Sequence, residues 1–180
     1  MKTNEIYEFF AARTPCMHEV WQSIPWRQTC WGCRPKEVGG LNVRAYFTTD
    51  GYCVGFAKTD ENLSGFPEVT HGGVIAAYFD EVLWNQTKRE SIHIDAMTVH
   101  EEVDFFKPVP EGSDVTIVAL PLEKEGRHFY AKGALLLSDG SIAATGKVHY
   151  IRLKTDSEIS AEEKKRILNP SDAVLTEVFF

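Results

Sequence analysis

His71-Gly72-Gly73-Val74-Ile75-Ala76-Ala77-Tyr78-Phe79-Asp80-Glu81-Val82-Leu83-Trp84 reads as a helix that begins at two glycines and is apolar on almost every side. At about 100° per residue, Val74, Ile75, Ala77, Tyr78, Phe79, Val82 and Leu83 spread round the whole wheel, so protein rather than water should surround it. The flanking sequence supplies the wrapping. Upstream, Leu41, Val43, Ala45 and Phe47 alternate, Thr48-Thr49-Asp50-Gly51 turns the chain, and a second run goes from Tyr52 to Ala57, which predicts a hairpin. A polar loop, Asp60 to Thr70, contains Gly65 and Pro67 and leads into the helix.

Downstream of Glu90 alternation returns in four runs: Asp95 to Phe106, Val115 to Leu122, Arg127 to Leu137 and Ser141 to Leu153. Turns separate them at Pro108 to Gly112, Glu125-Gly126 and Asp139-Gly140. Two strands, one buried helix and four strands predict an α+β fold, an antiparallel sheet wrapped around a central helix.

The ends read differently. Ile6, Phe9 and Phe10 give Lys2 to Ala12 the spacing of a short amphipathic helix, while the stretch holding Pro15, Trp21, Pro25, Trp26 and Trp31 has no period and predicts an irregular, partly buried lead-in. Ser160-Ala161-Glu162-Glu163 is a capping-box pattern opening a charged helix that runs to Leu168 and stops at Asn169-Pro170. With 180 residues, 43% of them hydrophobic, the chain can bury one substantial core. The expected division is an extension over 1–29, one domain over 30–155, and a helix and tail over 156–180.

A net charge of -7 argues against general nucleic-acid binding, which needs clustered Lys and Arg. Met1 to Phe10 lacks the apolar run of a signal peptide, and no stretch of about 18 apolar residues suits a membrane span, so a soluble cytoplasmic protein is expected. Of the four cysteines, only Cys30 and Cys33 have the two-residue gap of metal and redox sites. Cys16, His18 and Cys53 form no second close pair, and reduced cysteines in a turn is the expected state. No metal or cofactor is expected.

Chemistry concentrates in the helix. Its first backbone N–H groups have no intrahelical partner, and such an end can stabilise a carbonyl oxygen as negative charge develops on it. Gly72 and Gly73 let a substrate approach the bare backbone; equally, they permit tight contact with the sheet. Asp80 is a carboxylate in an apolar stretch and must be paired or put to use. Glu81 competes, but successive helical residues differ by about 100° and cannot face one site. Asp80 lies on the face of Gly73, two turns on, so Asp80 is the candidate and Glu81 is given a solvent or salt-bridge role.

His71-Gly72-Gly73-Val74-Ile75-Ala76-Ala77 followed by Asp80 resembles the PaaI-like acyl-CoA thioesterases of the hotdog superfamily. Cys30-Trp31-Gly32-Cys33, Gly65-Phe66-Pro67, Thr98 and Phe105 to Pro108 support the likeness, which covers roughly Cys30 to Leu153. The resemblance implies hydrolysis of a fatty or aromatic acyl-CoA by a homodimer or dimer of dimers with sites shared between subunits, and no cofactor. It implies Asp80 as general base or nucleophile, Gly72 and Gly73 as carbonyl-polarising amides, and Thr98 as the hydroxyl that orients water. His71 would be a helper.

Each has a plainer role beside it: His71 as a loop anchor, Thr98 as an ordinary β-branched strand residue. Some members have Asn where this chain has Gly65, so the chemistry would lean more on Thr98 or His71. Gly65 and Phe66 are candidate substrate contacts. Arg127 and Lys132, with Lys147, Arg152 or Lys154, are candidates for the coenzyme A phosphates. Glu101 and Glu102 receive no role.

Two other functions fit the same residues. A hydratase or dehydratase would need a paired His and carboxylate, a setting that His93 and His100 lack, and a non-catalytic acyl-CoA-binding protein would make Asp80 a structural carboxylate. Helix geometry adds an expectation about assembly. At about 1.5 Å per residue, Asp80 lies roughly 10 Å from Gly73, so two antiparallel helices across a two-fold axis would be needed to bring both groups to one thioester.

Overall fold

A computed structural model describes residues 4–24, 29–89, 96–153 and 175–180. The elements run α1 (Glu5–Ala11), β1 (Met17–Ser23), β2 (Arg44–Thr48), β3 (Cys53–Lys58), β4 (Ser64–Phe66), β5 (Val69–Thr70), α2 (Gly72–Gln86), β6 (Ala96–Phe105), β7 (Asp114–Ala119), β8 (Glu123–Glu125), β9 (His128–Leu137), β10 (Ile142–Arg152) and β11 (Glu177–Phe179). A nine-stranded antiparallel sheet has the order β11-β1-β2-β3-β7-β9-β10-β6, with β8 paired to β9. This is the predicted antiparallel sheet with a helix against it, the hotdog α+β fold.

Helix α2 lies on one face of the sheet. Tyr78, Phe79, Val82 and Leu83 are fully buried there among Val43, Phe47, Ile117, Phe129, Leu135 and Tyr150. The helix sits close because two strand positions lack side chains. A Cβ on Gly55 of β3 would stand 2.2 Å from a Val82 methyl, and one on Gly146 of β10 would stand 2.6 Å from the Phe79 ring. At the far end, Gln86 is 1% exposed and its Nε2 donates to the carbonyls of Gly51 and Leu120 at 2.7 and 2.9 Å, satisfying both of its buried N–H groups.

The other face of the sheet is covered by α1. Asn4 caps this helix by accepting from the amides of Ile6 and Tyr7, and its own Nδ2 donates to Asp104 and Thr145. Ile6 and Phe10 then bury with Val54, Val118, Ala134 and Leu136.

Three differences from the sequence reading have physical causes. The lead-in expected to be irregular contains β1, which pairs with β2 through a bulge; its exposed alternate side chains include Met17 and Trp21, so hydrophobic alternation is hidden. Strand β11 is three residues long, too short to show a period, and pairs with β1. Both ends therefore belong to the same sheet as the middle. The loop before α2 folds as the β4–β5 hairpin, helped by Glu68 in a left-handed conformation at φ 63°. The expected helix from Ser160 to Leu168 lies outside the described residues. No helix among the described residues is long and apolar enough to cross a membrane.

Candidate active site

His71 is the N-cap of α2, extended at φ -61° and ψ 134°, with its amide bonded to the Leu63 carbonyl at 2.8 Å. Its ring Nδ1 accepts from the Gly73 amide at 2.9 Å, so the neutral ring carries its proton on Nε2. Gly65 lies beneath this ring: a Cβ there would stand 2.6 Å from His71 Cδ2. The glycine at position 65 thus makes room for the imidazole, and Phe66 follows it on the hairpin, 73% exposed.

Because His71 occupies the Gly73 amide, Gly72 is the glycine whose amide has no protein acceptor among the described residues. Gly72 opens onto a shallow groove of about 330 Å³, shared with Thr70, Ile75, Phe105, Lys107 and Val109.

Two turns along α2, half-buried Asp80 accepts a hydrogen bond from the Thr98 hydroxyl of β6 at 2.7 Å. Two further bonds fix the helix here: Tyr150 on β10 donates its hydroxyl to the Asp80 carbonyl at 3.1 Å, and Trp84 donates its indole N–H to the Ala96 carbonyl at 2.9 Å.

A bulge on β6 decides which side chains reach Asp80. His100 stands opposite His149, yet Thr98 stands opposite Tyr150, so Val99 is an extra residue on β6. On a regular strand Thr98 and Glu101, three apart, would point to opposite faces. The bulge turns both towards α2. Glu101 Oε1 is buried with no hydrogen-bond partner among the described residues, and desolvation, reinforced by the Asp80 charge, pushes its carboxyl up to about 7.

Glu81 departs from the expected solvent or salt-bridge role. It turns inward, accepts from the Cys30 thiol at 2.8 Å and from Asn85 Nδ2 at 3.4 Å, and has no ion pair among the described residues. Burial, then the neighbouring Cys30, pushes its carboxyl up to about 8. Helix periodicity correctly separated it from Asp80 but could not show that the Cys30 turn folds over it.

The basic candidates are dispersed. Lys132 pairs with Glu123 at 2.8 Å and Lys147 with Glu5 at 3.6 Å, both among outer-face groups under α1, on the opposite side of the sheet from Asp80. Arg127 bonds the Arg152 carbonyl at the β8–β9 turn, and Lys154 and His93 lie outside the described residues. His100 lies beside Lys132, Lys147 and His149 on the outer face. The cation at the Gly72 groove is Lys107, which sequence reading passed over although it stands between Phe105 and Pro108.

The thioesterase superfamily model matches residues 68–144. A comparison with curated proteins gave no match. Among solved structures, the fold is similar to the thioesterase superfamily protein RHA08564, at 21% identity and a TM-score of 0.59 over 65% of this chain; the match spans only 57% of that chain. It is similar to the Escherichia coli PaaI protein from the phenylacetic acid degradation operon, at 14% identity and a TM-score of 0.57 over 63% of this chain and 80% of the other. A hypothetical thioesterase from Streptococcus pneumoniae, solved with coenzyme A, matches at 14% identity and a TM-score of 0.56 over 62% of this chain and 86% of the other. Element order and central helix agree with the hotdog fold of these structures, and residues 68–144 match the thioesterase superfamily model.

Proposed function

We propose that this protein hydrolyses an acyl-CoA thioester, with Asp80 as its catalytic carboxylate. The observation that carries the reading is the Thr98–Asp80 hydrogen bond at 2.7 Å, which joins a strand hydroxyl to the one central-helix carboxylate that faces the sheet edge. Asp80 deprotonates water held by Thr98, or attacks the carbonyl itself to form an anhydride that water then opens. The oxyanion is met by the Gly72 amide, with His71 Nε2–H as a second donor at the same helix start. A thiolate leaves readily, so the reaction needs no strong general acid.

Gly72 and Asp80 are eight residues apart on one helix, about 12 Å along its axis, too far to meet at one carbon. The reading therefore includes a homodimer in which Asp80 of one chain meets Gly72 of the other. Strand β6 supports it: only β10 pairs with β6 among the described residues, and Met97 and Val99 are 59% and 55% exposed along it. Phe66 and the Gly72 groove, with Lys107 at its rim, form the substrate approach. The coenzyme A seen with the Streptococcus pneumoniae protein is consistent with that ligand class. Release of free thiol from a panel of fatty and aromatic acyl-CoAs tests the activity; binding without release would make the protein a carrier, and hydration of an enoyl-CoA would make it a hydratase.

A further inference from the structure

Cys30, Cys33 and Glu81 bring two thiol sulfurs and a carboxylate oxygen within 4.8 Å of one another, between the turn ahead of β2 and the middle of α2. We propose that these three side chains bind a zinc ion, with solvent as the fourth ligand on the partly exposed side of Cys30.

The turn is built to hold its sulfurs in place. Arg34 N–H bonds the Cys30 carbonyl at 3.0 Å, and Leu41, Asn42 and Val43 donate to the carbonyls of Trp31, Arg34 and Gly32 at 2.8, 3.0 and 2.9 Å, strapping the turn to the chain entering β2. Gly32 is required by Glu81: a Cβ there would stand 2.5 Å from Glu81 Oε2. The carboxylate has thus been given a pocket formed by a bare backbone and two thiols.

Without a cation the pocket is poorly matched to its contents. A buried carboxylate needs full hydrogen bonding or a counter-charge, yet Glu81 has a weak thiol donor and one side-chain amide at 3.4 Å. A divalent ion removes the mismatch: the thiols, and Glu81 where protonated, release protons and coordinate as anions. Two thiolates and one carboxylate form a borderline-soft set suited to tetrahedral zinc, and three protein ligands leave the fourth position to water. The ion would clamp the turn to α2 one residue beyond Asp80. The proposal does not depend on the thioesterase reading.

The probes are Zn²⁺ and Co²⁺ alone, used on the full chain. Protein produced in zinc-supplemented medium and dialysed should retain about one zinc per chain, and Co²⁺ added after chelation should give a thiolate-to-cobalt charge-transfer band. Cys30→Ser and Cys33→Ser should lose both, while Cys16→Ser keeps them. Loss of even an outer-shell partner costs roughly 10–100-fold in metal affinity, so Glu81→Gln should weaken binding at least as much. Should the serine variants not fold, wild-type protein still decides: the Cys30 and Cys33 thiols should resist alkylation with zinc present and react after chelation. Absence of retained zinc together with absence of the band, alkylation indifferent to zinc, or a band that survives in Cys30→Ser and Cys33→Ser, each overturns the proposal.

Discussion

The hydroxyl of Thr98 donates to Asp80 Oδ1 across 2.7 Å, so the outermost strand and the central helix are joined by a bond that ends on a carboxylate. A hydroxyl that donates here can in the same geometry accept from a water, which gives Asp80 and Thr98 a common nucleophile to hold.

Asp80→Asn keeps the size and polarity of the side chain and removes the base. Turnover of acyl-CoA should fall by roughly 10²–10⁴-fold, the usual worth of a positioned base, while the protein stays folded and binds substrate. Thiol release within a fewfold of wild type would end the assignment.

Thr98→Val keeps a β-branched strand residue and loses the hydroxyl. A hydrogen bond to a charged group is worth about 1.5–3 kcal/mol, so kcat should drop roughly 10–100-fold with KM little changed. Steady-state kinetics decides; an unchanged kcat returns Thr98 to a purely structural role.

Glu101 is raised in the native state from an ordinary 4.5 to about 7. Between those values the folded protein holds more protons than the unfolded chain, so stability falls as pH rises through that window. The stability of wild type relative to Glu101→Gln should decline from about pH 4.5 to about pH 7 and level off above it. Urea midpoints of both proteins across that range measure the gap, and a gap that stays constant or widens in favour of wild type contradicts the buried, unpartnered placement of Glu101.

Gly146→Ala would put a methyl 2.6 Å from the Phe79 ring, which is itself fully buried and cannot retreat. Overpacking of this kind costs about 1–3 kcal/mol. Equilibrium unfolding that differed from wild type by less than about 0.5 kcal/mol, the scale of an ordinary surface change, would mean that α2 does not lie this close to β10.

The shared site has its own test. His71 is extended, the conformation a residue before proline prefers, and Gly72 opens the helix, where proline is tolerated. Gly72→Pro should therefore fold, lack the Gly72 amide, and be inactive, as should Asp80→Asn. When the two are refolded together, each mixed dimer carries one site with both lesions and one with neither, so random pairing should return about a quarter of wild-type activity. No recovery from dimers shown to be mixed would mean that each site is built within one chain.

The central helix and the six main strands were legible because their apolar residues repeat at periods of 3.6 and 2, and Asp80 stood out as a charge in an apolar run. What escaped has a common cause. The Glu81 environment, the outer-face position of Lys132 and the His71–Gly65 contact depend on which distant segments meet, and no local period records that. Strand β1 was hidden by tryptophan and methionine side chains on its open side.

Val99 carries a consequence for comparison between chains. Because inward and outward positions on a strand differ only by parity, the single inserted residue puts 96 and 98 in one reading frame and 101, 103 and 105 in the other. An ungapped superposition of this strand on a chain without the insertion matches the lining residues on one side of Val99 and, on the other, compares every one of them with a residue facing away. Deletion of that one codon would restore regular pairing and leave Thr98 and Glu101 two positions apart, both still on the face of Asp80.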